Sequence, residues 1–255
     1  MRTEFEKYLE DRINYPEKYA FIPTGIKALD IKLHGYYKNQ VWVIAAWPGS
    51  GKTTLAMNFI SKLSKTRISL FDTETTRFVF MERFFSLVSG IPHDVFSKNL
   101  NGNYPEIKSK LSCLDNFNLN IIDKSCPSFR DIEEEVKRFR PKFLIIDYIQ
   151  NVDVGNPINR YSAYTNLVRD IETLTKRFEL TTILCSQLRK PVENSSRPSM
   201  FDLKETGKLL EVPSVVLLLS RVEGGSMLVD ACKNRNGQPF EETLSGNWNT
   251  GEIYG

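Results

Sequence analysis

The sequence has few of the features that mark membrane, secreted or metal-cluster proteins. No stretch approaches the roughly 18 unbroken apolar residues that a membrane span needs, and the charged amino-terminal segment lacks the apolar centre of a secretion signal. The cysteines are too far apart to form a Cys-x-x-Cys metal or redox pair: Cys113, Cys126, Cys185 and Cys232. Cys185 and Cys232 lie in apolar runs, which favours buried thiols in a reducing compartment. We therefore expect a cytoplasmic protein without a membrane partner.

An excess of charge of one sign is also missing. The 34 basic and 31 acidic residues leave a formal net charge of +3, too small to indicate nucleic-acid binding by bulk charge. Any such binding must depend on where individual basic residues lie. With 41% hydrophobic and 25% charged residues in 255, the composition is that of an ordinary globular protein. Repeats, low-complexity tracts and long linkers are absent, which indicates one main domain.

Apolar strand-length runs alternate with amphipathic helical patterns along most of the chain. The predicted strands cover residues 41–46, 68–71, 119–122, 143–146, 182–185 and 215–219, and the predicted helices cover residues 4–13, 53–63, 77–89, 129–139 and 161–178. Strands that are apolar on both faces are typical of a parallel sheet covered by helices. Hairpin-type turns at residues 223–226 and at Asn236-Gly237 predict an antiparallel extension at the carboxyl terminus. The predicted class is therefore α/β, with a mainly parallel sheet.

The strongest motif is a phosphate-binding loop between the first predicted strand and the helix that follows it. It reads Ala46-Trp47-Pro48-Gly49-Ser50-Gly51-Lys52-Thr53-Thr54. The glycines let backbone N–H groups turn towards phosphates at a helix amino terminus. Lys52 is expected to reach the β- and γ-phosphates, and Thr53 to hold Mg²⁺ through its hydroxyl. Ala46 stands where the strict motif begins with glycine, a departure that the intact Gly-x-Gly-Lys-Thr portion outweighs.

Polar residues follow three other predicted strands, at the edge where ligands of open α/β sheets bind. Asp147 ends the apolar run 143–146 and is a candidate Mg²⁺-associated acid, through a water. Asp72 and Glu74 end the second strand, and from the residues alone either is a candidate to orient and deprotonate the attacking water. Gln187 follows the run 182–185 and is a candidate sensor of the γ-phosphate. The alternative interpretation of Asp147, Asp72, Glu74 and Gln187 is that each only caps a turn or the start of a helix.

Seven stretches in this order resemble a known family. They are residues 22–30 (IPTGIKALD), 45–54 (AAWPGSGKTT), 70–74 (LFDTE), 144–150 (LIIDYIQ), 186–188 (SQL), 202–207 (DLKETG) and 233–237 (KNRNG). Together they resemble the carboxyl-terminal, RecA-like motor domain of the DnaB-like replicative hexameric DNA helicases. The resemblance runs from about residue 21 to the end and leaves residues 1–20 as an amino-terminal linker helix and arm. Residues 4–13 are similar to the linker helix that packs on the neighbouring subunit of the ring.

The resemblance assigns roles that the residues alone leave open. It implies that Glu74, rather than Asp72, is the catalytic base, and that Gln187 is the γ-phosphate sensor. It implies that Arg235, with Lys233, forms an arginine finger that reaches the ATP of an adjacent subunit, where sequence alone indicates only a basic hairpin tip. The implied activity is hydrolysis of ATP with Mg²⁺ by a P-loop NTPase.

A long polar segment, residues 188–211, resembles the DNA-contacting loop of the family. The resemblance places Lys204, Glu205 and Gly207 against the phosphates of single-stranded DNA, and Arg189 and Arg197 add basic side chains to the segment. Lys204 stands where the family commonly has arginine. The residues at 210–213, Leu-Glu-Val-Pro, replace the acidic stretch usual in the family. These departures concern the details of the DNA contact.

The leading hypothesis is a ring-forming, ATP-driven 5′→3′ helicase motor, with single-stranded DNA, a homo-hexamer, primase and a helicase loader as implied partners. The alternatives are a RecA/KaiC-like ATPase of recombination or annealing, and a non-motor regulatory ATPase. Because residues 1–20 leave no room for the amino-terminal domain that touches primase in this family, we expect a motor fragment or a minimal protein. A bacterial, phage or mobile-element origin fits this expectation.

Overall fold

A single twisted sheet organises the molecule. The computed structural model describes residues 1–16, 20–98, 100–189, 197–203 and 207–255. The strands of this sheet are β1 (Gln40–Ala46), β2 (Arg67–Asp72), β3 (Asn118–Ile122), β4 (Phe143–Asp147), β5 (Thr181–Gln187), β6 (Val215–Arg221), β7 (Met227–Asn234), β8 (Phe240–Asn247) and β9 (Glu252–Tyr254). Their spatial order is β3-β2-β4-β5-β1-β6-β7-β8-β9. The strands from β3 to β6 are parallel and β7, β8 and β9 are antiparallel. This order confirms the predicted fold class.

Helices cover both faces of the parallel part of the sheet. The described α-helices are α1 (Arg2–Asn14), α2 (Lys27–Leu33), α3 (Lys52–Ser61), α4 (Arg77–Ser89), α5 (Val95–Lys98), α6 (Leu100–Lys110), α7 (Phe129–Phe139), α8 (Arg160–Arg177) and α9 (Lys208–Glu211). Alternate side chains of β1 enter two separate cores, because successive residues of a strand point to opposite faces. Trp42 and Ile44 pack in the core that α2, α3 and α4 cover. Val41 and Val43 pack in the core that α7 and α8 cover.

Several elements were not predicted from the sequence, among them α2, the pair α5 and α6, and β9. Helix α6 contains Pro105, and Ile107 is its one fully buried residue. Gly102 and Pro105 disfavour a helix by local propensity, and a single buried position gives no periodic signal. The helix therefore depends on tertiary packing, with Ile107 meeting Phe85 and Ile91 in a small separate cluster.

Helix α1 differs from the others because it buries no residue against the rest of the described chain. Its apolar stripe is exposed, with Phe5 at 59%, Leu9 at 41% and Ile13 at 77% of full accessibility. The helix predicted for residues 4–13 is confirmed, at slightly wider bounds. An apolar stripe without a covering surface is typical of a segment that packs on another molecule.

Candidate functional site

The phosphate loop joins the carboxyl end of β1 to the first turn of α3. Gly49 and Gly51 adopt left-handed backbone conformations, with φ of +77° and +98°, which a residue with a Cβ adopts only with strain. A Cβ on Gly51 would also lie 2.5 Å from the Cε of Met227. Because Gly51 caps α3 without a side-chain hydrogen bond, the first N–H groups of the helix remain available to an anion. The loop therefore has the geometry of a phosphate cradle.

Lys52, Thr53 and Asp147 form a connected group beside this cradle. The Thr53 hydroxyl donates a hydrogen bond of 2.6 Å to Oδ2 of Asp147, and the Lys52 Nζ lies 3.6 Å from Oδ1 of the same carboxylate. Burial of the Lys52 ammonium works to lower its pKa, but the Asp147 carboxylate, with Cys185 and Glu74, outweighs burial, so that the pKa is raised. Lys52 is thus a cation at neutral pH, as a phosphate ligand must be.

The donor set beside Thr53 fits a Mg²⁺ ion that is shared with a nucleotide. Asp147 is 3% exposed, and its Oδ1 is buried without a hydrogen-bond partner in the described chain, which a cation or its water would satisfy. The described residues contain no cluster of three or more His, Cys, Asp or Glu side chains that could bind a metal alone. Mg²⁺ commonly takes one or two protein oxygens and completes its shell with phosphate oxygens and water. Thr53 and Asp147 are sufficient for that role.

Asp72 and Glu74, which the residues alone left equivalent, differ in the structure. Asp72 is buried and accepts hydrogen bonds from the backbone N–H groups of Glu74 and Thr75, at 3.1 and 2.9 Å, and from the Thr75 hydroxyl. Its carboxylate is therefore occupied in the turn that precedes α4. The Glu74 carboxylate is exposed, faces the cavity beside the phosphate loop, and accepts no hydrogen bond within the described ranges. Of the two acids, Glu74 is the one free to approach a water.

A cavity of about 440 Å³ collects these groups at the carboxyl edge of the parallel strands. Its lining includes most of the loop residues predicted to bind nucleotide, together with Asp72, Glu74 and Gln187: Trp47, Pro48, Gly49, Gly51, Lys52, Thr53 and Thr54. Ala46 lies beneath the loop at the end of β1, and Ser50 is largely buried. The size and position of this cavity fit a nucleoside triphosphate.

Two arginines that sequence reasoning missed line the same cavity, Arg83 of α4 and Arg221 at the end of β6. The Arg221 guanidinium lies 3.6 Å from the ring centroid of Trp248, and its Nη1 donates to the Gly225 carbonyl at 3.3 Å. Burial lowers the pKa of Arg221, although an arginine remains charged. For Arg83 the sequence held a signal, because it follows buried Phe80 by three residues and precedes Leu87 by four, which places it beside the buried stripe of α4.

Lys233 and Arg235 lie near the amino-terminal ends of the parallel strands, whereas the phosphate loop lies at their carboxyl ends. Asn234 pairs with Val215 at the start of β6, whereas Ala46 pairs with Leu219 further along the same strand. Four residues of strand separate these levels, about 13 Å at ~3.3 Å per residue. Arg235 is exposed, and neither it nor Lys233 lines the cavity of its own chain.

Hydrogen bonds to the carboxyl end of α9 hold both basic side chains. The Arg235 Nη2 donates to the Glu211 carbonyl at 2.8 Å, and the Lys233 Nζ donates to the carbonyls of Leu210 and Glu211 at 2.5 and 2.9 Å. Burial and the neighbouring Arg235 lower the pKa of Lys233. The two basic side chains therefore bind the same carboxyl-terminal end of α9.

The candidate DNA-binding residues are only partly described. Lys204 and Glu205 lie outside the described residues. The Gly207 N–H donates to the Tyr161 hydroxyl at 3.2 Å, near the start of α8. Arg197 lies elsewhere, with its Nη1 3.3 Å from a carboxylate oxygen of Glu241 on β8, and the exposed Arg189 accepts a hydrogen bond from Trp47 Nε1 through its carbonyl. Gly207 and Arg197 are thus held by different elements.

None of the described helices is long and apolar enough to cross a membrane. Against known proteins, a family model for the DnaB-like helicase C terminal domain matches residues 21–245. The chain is 26% identical over 241 residues to the replicative DNA helicase DnaB of Treponema pallidum (strain Nichols), an alignment that covers 90% of this chain and 55% of that protein. The chain thus spans about half the length of the relatives it matches.

Solved structures show the same fold. One solved ATPase domain matches with a TM-score of 0.89 and 21% identity, over 100% of this chain and 98% of that one. A DnaB-like replicative helicase, solved in a study of its interactions with primase, matches with a TM-score of 0.86 and 21% identity, over 92% of this chain and 63% of that one. These similarities confirm the RecA-like arrangement of strands and helices.

Proposed function

Because the chain belongs to the family of DnaB-like helicase C-terminal domains, we propose that it is the ATP-hydrolysing motor of a replicative-type DNA helicase. In this proposal it moves along single-stranded DNA in the 5′→3′ direction as part of a ring. The observation that carries the proposal is the cluster around the 440 Å³ cavity, in which Lys52 and Thr53 meet Asp147 and Glu74 faces the same space. A turn that only joined a strand to a helix would not need this convergence of charged groups.

In this proposal, different residues of the cavity bind different parts of ATP. The backbone N–H groups of residues 49–53 wrap the phosphates, and the Lys52 ammonium neutralises the β- and γ-phosphates. Thr53 and Asp147 would hold Mg²⁺, whose charge would offset that of the phosphate oxygens when it is bound. Arg221, stacked on Trp248, lines the cavity and would offer the base a flat cationic surface. Stacking of this kind contacts the face of the base and does not contact the donor and acceptor groups at its edge that distinguish one base from another.

For hydrolysis we propose Glu74 as the group that orients and deprotonates the attacking water, with Gln187 contacting the γ-phosphate. Arg235, supported by Lys233, would contribute the remaining positive charge from an adjacent subunit. The separation of Arg235 from the phosphate loop of its own chain supports this division, since the exposed guanidinium lies too far from that loop to reach its own γ-phosphate site. Hydrolysis would then require assembly.

The exposed stripe of α1 supports assembly into a ring, which we propose to be a homo-hexamer. Phe5, Leu9 and Ile13 have no surface to cover in the described part of their own chain. An apolar surface is available around Met81, Leu114 and Leu119 near the edge strand β3, where a groove of about 150 Å³ opens. Packing α1 of one subunit on this groove of the next would bury both surfaces in a heterologous contact, the type that closes into rings.

The nucleic-acid partner in this proposal is single-stranded DNA, gripped by the segment 188–211. Lys204, Glu205 and Gly207 would contact phosphates, with Arg189 and Arg197 adding positive charge. Primase and a helicase loader are further proposed partners; interaction with primase is what the study of one structural neighbour describes for that protein. We also propose a cytoplasmic location in a bacterium, with a bacterial, phage or mobile-element origin, which the bacterial relatives support.

The first test is whether the chain binds ATP with Mg²⁺ and releases phosphate faster with single-stranded DNA. Lys52→Ala is expected to weaken ATP binding by roughly 10²-fold, because a charged hydrogen bond of about 3 kcal/mol is lost. Isothermal titration calorimetry measures the affinity. Lys62→Ala, at the exposed far end of α3, is the matched control and should bind normally.

A wild-type chain that gives no heat with Mg²⁺ and ATP would contradict the whole proposal. Two further readouts separate it from the alternatives. Unwinding of a fork with a free 5′ tail, in hexamers detected by mass measurement, distinguishes the motor from a recombination or annealing ATPase. Salt-dependent single-strand binding distinguishes both from a regulatory ATPase.

A second prediction concerns the DNA segment. Lys204→Ala should weaken single-strand affinity equally for all base compositions, because a phosphate contact carries no sequence information. The slope of log affinity against log salt should fall by about 0.7, the value for one phosphate on a single strand. Fluorescence anisotropy with homopolymers measures both quantities, and Lys108→Ala on the exposed face of α6 is the control. Unchanged affinity and slope would locate the DNA site elsewhere.

A further inference from the structure

The carboxyl end of β5 is held by the side-chain amide of Gln150. The Gln150 Nε2 donates to the Gln187 carbonyl at 3.1 Å and to the Ser186 hydroxyl at 2.8 Å, and the Gln187 N–H donates to Gln150 Oε1 at 3.1 Å. One side chain thus pairs with both main-chain groups of Gln187.

This pairing begins where the ladder between two strands stops. The pairs of β4 with β5 end at Ile146 and Leu184, and Gln187 continues to pair only with Ala46 of β1 on its other side. Beyond Leu184, the side of β5 that faced β4 depends on Gln150. The position of Gln187 at the nucleotide cavity is therefore fixed by the Gln150 side chain on the side of β4 and by strand β1 on the opposite side.

Gln150 is itself fixed by its neighbours. It lies in the 3₁₀ turn Ile149–Asn151 directly after β4, and its carbonyl accepts a hydrogen bond of 2.5 Å from the hydroxyl of Tyr164 on α8. Tyr164 is 2% exposed. In the same turn, the Asn151 amide donates to the carbonyl of Thr73 at 3.3 Å, immediately before Glu74. The turn thus contacts the segments that carry Glu74 and Gln187.

The contacts continue along α8 to the candidate DNA segment. Tyr161 lies three residues before Tyr164 on the same helix, and its hydroxyl accepts the hydrogen bond from the Gly207 N–H at 3.2 Å. A rigid helix therefore joins the residue that supports Gln150 to the residue that contacts Gly207. Both tyrosines lie at the amino-terminal end of α8. A displacement of Gly207 that moves this end of the helix therefore also moves Tyr164, because packed helices shift as units.

We propose that Gln150 is a positioning residue, which sets the contact of Gln187 with the γ-phosphate and relays DNA binding at Gly207 to it through α8. This inference rests on the proposed function and adds a path from DNA to hydrolysis. Gln150 acts through Gln187 and touches neither nucleotide nor DNA. Its amide suits this task, since one group donates to the Gln187 carbonyl while the other accepts from the Gln187 N–H.

The test is Gln150→Glu, which keeps the shape of the side chain but replaces the donating NH₂ by an oxygen. A carboxylate oxygen opposite the Gln187 carbonyl repels it, so Gln187 shifts. At pH 8, we expect kcat with single-stranded DNA to fall roughly tenfold, the effect of one buried hydrogen bond replaced by an unfavourable contact. The KM for ATP should stay within about twofold, because the phosphate loop is untouched.

A pH profile separates positioning from simple loss of structure. When the introduced carboxyl is protonated it again donates one hydrogen bond, so kcat relative to wild type should recover as the pH is lowered from 8 to 5. Burial beside the Gln187 carbonyl disfavours the charged form and raises the pKa of this carboxyl above the ordinary glutamate value of about 4.3. The titratable or charged groups that share the pocket beside Gln150 are Cys126, Asp153, Arg160 and Tyr164. These are common to both proteins, and their effect cancels in the ratio.

Asn120→Asp is the matched control, because Asn120, on the edge strand β3 far from the cavity, also donates from a half-buried amide, to Glu135 on α7. It should lose thermal stability without any change in the pH dependence of kcat. An unchanged DNA-stimulated kcat in Gln150→Glu would overturn the inference, as would a fall in kcat that shows no recovery down to pH 5 or that comes with weakened ATP affinity. If the wild type itself shows no DNA-stimulated hydrolysis, the proposed function fails as well.

Discussion

Arg235→Ala is expected to lower DNA-stimulated ATP hydrolysis by about 10³- to 10⁵-fold while ATP affinity stays unchanged. In the proposed role the Arg235 guanidinium neutralises charge that develops on the γ-phosphate during transfer, and arginine fingers contribute on this order. ATP binding should survive because Arg235 lies at the opposite edge of the sheet from the phosphate loop of its own chain. Phosphate-release kinetics and calorimetry on the same preparation measure both quantities.

Folding should also survive, because Lys233 keeps its hydrogen bonds to the carbonyls of Leu210 and Glu211 when Arg235 is removed. Arg130→Ala, an exposed arginine on α7 that pairs with Glu134, is the control for loss of one positive charge. Arg235→Lys should rescue little, since an ammonium lacks the planar fork of the guanidinium. Retained turnover in Arg235→Ala would remove the finger assignment.

Mixed rings test whether the finger acts between subunits. In a mixture of Arg235→Ala and Glu74→Gln chains, some interfaces join an intact Glu74 on one subunit to an intact Arg235 on the next. Those interfaces should hydrolyse ATP although each variant alone does not. A mixture no more active than its components would mean that both residues serve the site of one chain, against the geometry described above.

Glu74→Gln should lower kcat by about 10²- to 10⁴-fold, the usual contribution of a general base. The amide keeps the size of the side chain but cannot accept a proton. Because the Glu74 side chain contributes no hydrogen bond to the fold in the described chain, ATP binding and thermal stability should change little. Single-turnover phosphate release measures the chemical step apart from binding and product release.

The neighbouring acid supplies the comparison. Asp72→Asn leaves an oxygen that still accepts from the N–H groups of Glu74 and Thr75, and it weakens only the contact with the Thr75 hydroxyl. We expect its kcat to stay within about tenfold of wild type, with a loss of stability of about 1 kcal/mol. If Asp72→Asn loses turnover and Glu74→Gln keeps it, the two assignments must be exchanged.

Much of the arrangement of the site could be predicted from the order of the motifs, because the carboxyl ends of parallel strands lie at the same edge of the sheet. The phosphate loop, Asp147, Glu74 and Gln187 all end adjacent strands and line or border one cavity. Arg83, Arg221 and Trp248 were missed, since each comes from a helix, an antiparallel hairpin or a late turn whose position the motif order does not determine. Gln150 stood within a recognised stretch, yet its pairing with Gln187 depends on where the ladder of β4 and β5 stops.

The amino-acid sequence by itself determined the alternation of strands and helices, the phosphate loop and the family. Long apolar runs and glycine positions act locally, so they can be read without a neighbour. Tertiary structure alone decided which acid is free, which arginines face the cavity, and that Arg235 is turned away from it. These outcomes depend on contacts between residues far apart in the chain: Asp72 and Glu74 are chemically similar two positions apart, and only the packing of the turn before α4 makes one a cap and leaves the other open to water.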